Sequence, residues 1–152
     1  MDYSQEHSNA IPMSLLLEAD PNQSSIQSYI NGGICFVAKE NLDIVAACIA
    51  KPTSENVIEI FNISVSPDHQ QRGIGTRLLH YSLEQLADKG FVRVELGTGT
   101  FGHQLSYYQR AGFRVESVAK DHFLNHYPEP IFEDGIQHKD MLRLYIDLSD
   151  AE

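Results

Sequence analysis

One segment constrains this chain more than any other. It runs Val57-Ile58-Glu59-Ile60-Phe61-Asn62-Ile63-Ser64-Val65-Ser66-Pro67-Asp68-His69-Gln70-Gln71-Arg72-Gly73-Ile74-Gly75-Thr76. A run with strand character ends at Val65, and a loop carries two glycines two apart. From Gln70 the period changes, and Ile74, Leu78, Leu79, Ser82, Leu83, Leu86 and Ala87 recur at helical spacing. Lys89-Gly90 supplies a basic last turn and a glycine stop. Glycines at a helix start let the backbone approach a bulky group with no Cβ in the way. The first-turn N–H groups have no intrahelical partners, and the helix dipole adds partial positive charge. That geometry suits a diphosphate, with the Arg72 guanidinium at its edge. The alternative is an ordinary helix start at Ser66-Pro67-Asp68. It would place Gly73 and Gly75 inside the helix, at about 1 kcal/mol each relative to alanine.

The elements around this segment predict a mixed α/β sheet. Pro12 to Ala19 and Ser24 to Asn31 read as short helices, the second closed by Gly32-Gly33. Ile34–Lys39, Ile44–Ala50 and Val57–Val65 read as strands, the first two joined as a hairpin by the Glu40–Asp43 turn. After the long helix come a strand at Phe91–Leu96, a helix at His103–Arg110, a strand at Phe113–Val118 and a last strand at Met141–Leu148. This order predicts an antiparallel front with crossover helices behind. The first dozen residues and Ser149–Glu152 are polar and are expected to be loose.

Composition narrows the function. A chain of 152 residues is expected to form one domain, 1–152, that holds its core without disulfides or metal. Cys35 and Cys48 lie in apolar stretches without C-x-x-C spacing, as reduced core residues of an intracellular protein do. A formal charge of −10 argues against nucleic acid or an anionic membrane as partner. The longest apolar run, Ile44 to Ala50, is too short to span a bilayer. No basic residue precedes Lys39, so no secretory leader is expected and the expected location is the cytoplasm.

Two segments together carry a resemblance. Gln70-x-x-Gly73-x-Gly75, after a strand and before a Leu-rich helix, resembles the acyl-CoA signature of GNAT-type N-acetyltransferases. Downstream, Tyr107-Tyr108-Gln109-Arg110-Ala111-Gly112-Phe113 is similar to that family's aromatic-Tyr-x-x-x-Gly-Phe segment. Both fall in the family's order, and the element order agrees from about residue 34 to 148.

The resemblance implies a GNAT-like fold: a mostly antiparallel mixed sheet, flanked by helices, in which two central parallel strands splay in a V. Here those are Val57–Val65 and Phe91–Leu96. Acetyl-CoA is the implied cosubstrate, with no metal. Its pantetheine arm would pair with Ile63, Ser64 and Val65, a strand addition by a ligand. The N–H near Val65 would polarise the thioester carbonyl. The diphosphate would lie on the N–H groups of Gln71, Arg72, Gly73, Ile74, Gly75 and Thr76, beside Gln70. A primary amine, on a small molecule or a peptide, would attack directly in a ternary complex. A homodimer is a further implication of the family alone.

The amine must lose a proton to be nucleophilic. Strict alternation puts Val57, Glu59, Phe61, Ile63 and Val65 on one face, with Glu59 the only charge in an apolar row. That would raise its pKa and make it the expected base, acting through water. A bulge, common in this family, would swap the faces beyond it. Asn62 is a candidate to orient the amine or the water. Tyr108 is the expected acid for the leaving thiolate, and Tyr107 fills the preceding aromatic slot. The family's frequent Asn seven residues before this tyrosine is Phe101 here, with Thr98 or Thr100 as partial replacements. A non-catalytic acyl-CoA sensor on the same fold is the competing function, though it needs neither Glu59 nor Tyr108.

Three further patterns compete. Gly97-Thr98-Gly99-Thr100-Phe101-Gly102, with Asp121 about 20 residues on, is a nominal dinucleotide fingerprint. The helix after it is short and too few residues follow, so a turn at the splayed strand is the expected role. His122-x-x-x-His126 beside Asp121 places two imidazoles on one helical face, without a clear third ligand for a metal. Asp121–Asp134 reads as a long loop, the kind that carries function. Its Glu129, Glu133 and Asp134, with His122, are the expected substrate-selecting groups.

Overall fold

The computed structural model describes residues 1–148. In chain order the elements are β1 (Asp2–Glu6), α1 (Met13–Leu16), α2 (Gln23–Ile30), β2 (Ile34–Glu40), β3 (Asp43–Pro52), β4 (Val57–Val65), α3 (Ile74–Asp88), β5 (Arg93–Gly99), α4 (His103–Arg110), β6 (Arg114–Ala119), α5 (His122–His126), β7 (Phe132–Glu133), β8 (Ile136–Gln137) and β9 (Met141–Asp147). Seven strands form one sheet in the order β1-β2-β3-β4-β5-β9-β6. All neighbours run antiparallel except β4 and β5. Strands β7 and β8 form a separate hairpin.

The parallel pair positions the site. β4 and β5 meet only at Val57/Arg93, Ile58/Val94 and Glu59/Glu95. Beyond these pairs β5 follows β9 out to Gly99, while β4 follows β3 out to Val65. The two strands therefore part in a V. Among the described residues, no strand pairs with the edge of β4 from Ile60 to Val65 that faces the gap.

Each face of the sheet has its own core. Helix α3 sets Leu78, Leu79 and Leu86 against Phe36, Cys48, Ile58 and Val94. On the other face α1 and α2 set Leu16, Ile26 and Tyr29 against Cys35, Val37, Ala47 and Ile49. Asn22 starts α2 by accepting from the N–H groups of Ser24 and Ser25. Cys35 and Cys48 are free, buried and on opposite faces. Burial pushes their thiols up to about 11 and about 12. No helix among the described residues is long and apolar enough to cross a membrane.

Several boundaries differ from those expected. The amino terminus is not loose: Asp2–Glu6 pairs with β2 from Asp2/Lys39 to Glu6/Cys35. An edge strand faces water along one side, so its polar sequence gives no apolar signal. The first helix holds only Met13–Leu16, and the long helix starts at Ile74, not Gln70. β5 is shifted two to three residues forward, so Gly97 and Gly99 are strand residues. The expected loop after Asp121 contains α5 and the β7–β8 hairpin. The expectation for Ser149–Glu152 lies outside the described residues.

Candidate active site

The loop after β4 winds in three steps. Pro67–His69 is a short 3-10 turn, Gln70 is extended, and Gln71 takes a left-handed φ of 63°. Gly73 is left-handed as well, at φ 78°, and caps α3. The chain therefore does not start its helix at Pro67. The first backbone bond of α3 runs from Arg77 N to Gly73 O at 3.1 Å. The N–H groups of Ile74, Gly75 and Thr76 precede it and point out of the helix end. Gln70 Nε2 donates to Val65 O at 3.0 Å, folding the loop back on the strand end. Arg77 Nη2 donates to Arg72 O at 3.1 Å, bringing a second guanidinium to the loop. Gly75 admits a different neighbour from the one expected. A Cβ there would lie 3.3 Å from Val65 Cγ2 and 3.6 Å from the Tyr107 hydroxyl.

A bulge divides β4. Ile49 of β3 pairs with Asn62 and Ala50 with Ile60, which leaves Phe61 unopposed. One extra residue reverses the alternation beyond it. Ile63 and Val65 therefore pack on the α3 side with Ile58 and Ile60. Asn62 faces α1 and α2, on the same side as Glu59. The apolar row expected around Glu59 does not exist. Its carboxylate is paired with Arg143 of β9, which donates from Nη1 to Oε2 at 2.9 Å and from Nη2 to Oε1 at 3.0 Å. The same pairing holds the Arg143 guanidinium above its ordinary pKa.

The tyrosines of α4 divide between two tasks. Tyr107 donates to the carbonyl of Gly75 at 2.7 Å and so pins the first turn of α3. Tyr108, 6% exposed, lines the cleft and packs edge-on against Phe113. Burial, with Cys48 nearby, raises the Tyr108 phenol above its usual value, so it stays protonated at neutral pH.

The cleft has a volume of about 710 Å³. Glu59, Ile63, Asn62, Tyr108 and His122 all line it, whereas Gln70 to Thr76 form the loop beyond the strand end. At its α2 end lies Asp20, 5% exposed. Asp20 accepts from Ser25 Oγ (2.8 Å), Tyr29 Oη (2.9 Å), Tyr127 Oη (3.2 Å) and the N–H of Asn22 (3.2 Å). Neither Asp20 nor Arg143 stands out in the sequence, because each meets its partners through distant parts of the chain.

The opposite wall accounts for the glycine-rich segment. Built Cβ atoms at Gly97, Gly99 and Gly102 would strike Met141, the His138 ring and the Glu133 carboxylate. These glycines seat protein side chains rather than a dinucleotide. Phe101 stacks on His138 at 4.2 Å, and His138 Nε2 lies 2.9 Å from Glu133. Thr98 lines the cleft and is buried, while Thr100 is exposed. Of the expected acidic selectors only Glu133 reaches the cleft. Glu129 is exposed, and Asp134 forms the two-residue turn Asp134-Gly135 between β7 and β8. That Asp-Gly pair was a readable hairpin signal. His122 and His126 stack at 4.3 Å, and burial lowers the His122 pKa. Among the described residues no three His, Cys, Asp or Glu side chains converge as a metal site.

The profile of the acetyltransferase (GNAT) family matches residues 5–113. This chain belongs to that family. An uncharacterized N-acetyltransferase of Bacillus subtilis, YvbK, is 39% identical over 144 residues, covering 94% of this chain and 93% of its own. An "IAA acetyltransferase" of Bacillus cereus has a similar structure, with TM-score 0.90, 37% identity, and coverage of 96% of this chain and 98% of that one. A GNAT family acetyltransferase of Elizabethkingia anophelis, solved with acetyl-CoA bound, matches at TM-score 0.91 and 34% identity, over 96% and 97% of the two chains. The V between β4 and β5 is thus part of a GNAT fold, and the protein is an acyltransferase.

Proposed function

We propose that this GNAT enzyme moves the acetyl group of acetyl-CoA to a primary amine by direct attack in a ternary complex, with residues 1–152 acting as one cytoplasmic domain. The observation that carries this reading is the unpaired edge of β4 from Ile60 to Val65. It opens between the turn at Gly73 and the cleft that holds Glu59, Asn62 and Tyr108. In this reading Ile63, Ser64 and Val65 offer backbone groups to the pantetheine arm, as an added strand does. The diphosphate rests on the amides from Gln71 to Thr76, with Arg72 and Arg77 at the rim. Support comes from the relative solved with acetyl-CoA bound.

The amine arrives largely as an ammonium ion. Glu59 takes one proton from it through a water, with Arg143 fixing the carboxylate plane. The neutral nitrogen then attacks the thioester carbon, whose oxygen is stabilised by the N–H of Val65. The C–N bond forms, the C–S bond breaks, and Tyr108 gives its phenolic proton to the departing sulfur, while the nitrogen sheds its second proton to water in the cleft, which returns one to the phenol. Neither buried thiol is placed in the cleft, which favours transfer without an acyl-enzyme.

Initial rates of thiol release across a panel of alkyl, aryl-alkyl, polyamine and peptide amines test this. Intersecting double-reciprocal lines for one amine and acetyl-CoA are expected. Parallel lines, or an absence of acetyl-CoA binding in calorimetry, would overturn it.

A further inference from the structure

Asn62 is 3% exposed and sits in the cleft wall with the two ends of its amide treated differently. Its Nδ2 donates twice, to Leu16 O at 3.0 Å and to Tyr29 Oη at 3.0 Å. Its Oδ1 is buried and has no hydrogen-bond partner. Leaving such an acceptor unpaired is costly, so it marks a place where a donor is missing.

The orientation of this amide is fixed from behind. Tyr29 donates its single hydroxyl hydrogen to Asp20 Oδ2 at 2.9 Å. With that hydrogen committed, Tyr29 Oη offers only lone pairs to Asn62. Leu16 O is likewise only an acceptor. Both neighbours therefore demand N–H groups, and the amide cannot turn its oxygen toward them. Asp20 is itself held by Ser25, Tyr127 and the Asn22 N–H, and among the described residues no basic side chain lies within ion-pair distance of it. The relay runs Asn62, Tyr29, Asp20, and it ends on a carboxyl group that accepts four hydrogen bonds and faces no basic side chain among the described residues. Polar groups at this end of the cleft thus favour a cation that brings N–H donors.

Resting on the acetyl-transfer reading above, we propose that Asn62 Oδ1 is the hydrogen-bond acceptor that seats the acceptor amine as its ammonium form. Tyr29 and Asp20 are positioning residues that act on that amine through Asn62.

Calorimetric titration of butylamine, 2-phenylethylamine and spermidine tests it, each run with and without CoA so that no turnover intervenes. At least one amine should bind the wild type. Tyr29→Phe keeps the ring but removes the link, and should weaken that amine about tenfold, the loss of roughly one hydrogen bond. Asn62→Ala should weaken it as much, and the double variant no more than either. CoA affinity should stay within about twofold throughout. Additive losses, an unchanged Tyr29→Phe, or no amine binding to the wild type would overturn the seat. A folding defect would show as a parallel loss of CoA affinity, and butyltrimethylammonium, a cation without N–H donors, then decides on the wild type. It should bind about tenfold more weakly than butylamine, and equal binding also overturns the proposal. Absence of CoA binding to the wild type would strike the acetyl-transfer reading, while the CoA-free titrations still decide the seat.

Discussion

Arg143 of β9 grips Glu59 of β4 with two parallel hydrogen bonds of 2.9 and 3.0 Å, across the mouth of the V. Only 26% of the Arg143 side chain and 15% of the Glu59 side chain are exposed. Bidentate geometry fixes the plane of the carboxylate as well as its charge.

Removing one partner should therefore hurt more than removing both. Arg143→Met is expected to cost about 2 kcal/mol, less than a fully buried pair because both groups retain some water. Adding Glu59→Gln should recover most of that loss, since a neutral amide needs no counter-charge. Urea midpoints of the two single variants and the double variant check this. In turnover, Glu59→Gln alone should lower kcat by about 10². Additive losses in the double variant would show that the pair contributes nothing to the fold.

Much of this site was legible because its signals are local. The change of period after Val65, the Gly73-x-Gly75 spacing and the Lys89-Gly90 stop all read correctly as strand, turn and helix. What stayed hidden depends on pairing across the sheet. The bulge at Phe61 adds one residue opposite Ile49 and Ala50, and nothing in the alternation of β4 announces it. It moves Ile63 and Val65 to the α3 face and leaves Glu59 beside Asn62. Arg143 is 84 residues from Glu59, and Tyr127 is 107 from Asp20, so no spacing pattern could join them. The glycines at 97, 99 and 102 copied a familiar spacing for a different reason, room for Met141, His138 and Glu133.

Gly73 and Gly75 are required on different grounds, and alanine separates them. At Gly73 the φ of 78° is the obstacle, while the nearest atom to a Cβ is the flexible end of Arg77 at 3.2 Å. Gly73→Ala should cost about 1–2 kcal/mol of stability. It should also weaken acetyl-CoA binding by shifting the turn that aims the amides. At Gly75 the backbone is helical and alanine is the better helix former. There the 3.3 Å approach to Val65 is the obstacle, so Gly75→Ala should change stability by less than about 1 kcal/mol. Its effect should fall on the Tyr107 bond to the Gly75 carbonyl and hence on acetyl-CoA affinity. Thermal unfolding and calorimetry on both variants distinguish strain from crowding.

The seat at Gly99 predicts a larger penalty. A methyl group there meets the His138 ring, which is itself stacked on Phe101 and bonded to Glu133. The ring has little freedom to retreat, and overpacking of this kind costs about 1–3 kcal/mol. Gly99→Ala should fall in that range by urea unfolding, and His138→Ala in the same chain should relieve part of it. Titration of the wild type with NAD should give no heat.

Stability should fall on the alkaline side, and the buried acids give the sign. Burial raises the thiols of Cys35 and Cys48 from 9.0 to about 11 and about 12, and raises Tyr29, Tyr107 and Tyr108 above 10.0. In the unfolded chain these groups ionise at their ordinary values while the folded chain still holds the protons. The unfolded state then binds fewer protons, so raising the pH favours it. Their contribution is complete below about pH 9 and is lost as pH climbs toward the folded values. At pH 10 each thiol is one unit past its unfolded value, a loss of about 1.4 kcal/mol apiece. Urea midpoints should be flat from pH 7 to about 8.5 and then fall. Cys48→Ala should shallow that fall by close to half of the thiol share at pH 10. A midpoint that holds steady from pH 7 to pH 10 would mean that the two thiols ionise alike in both states.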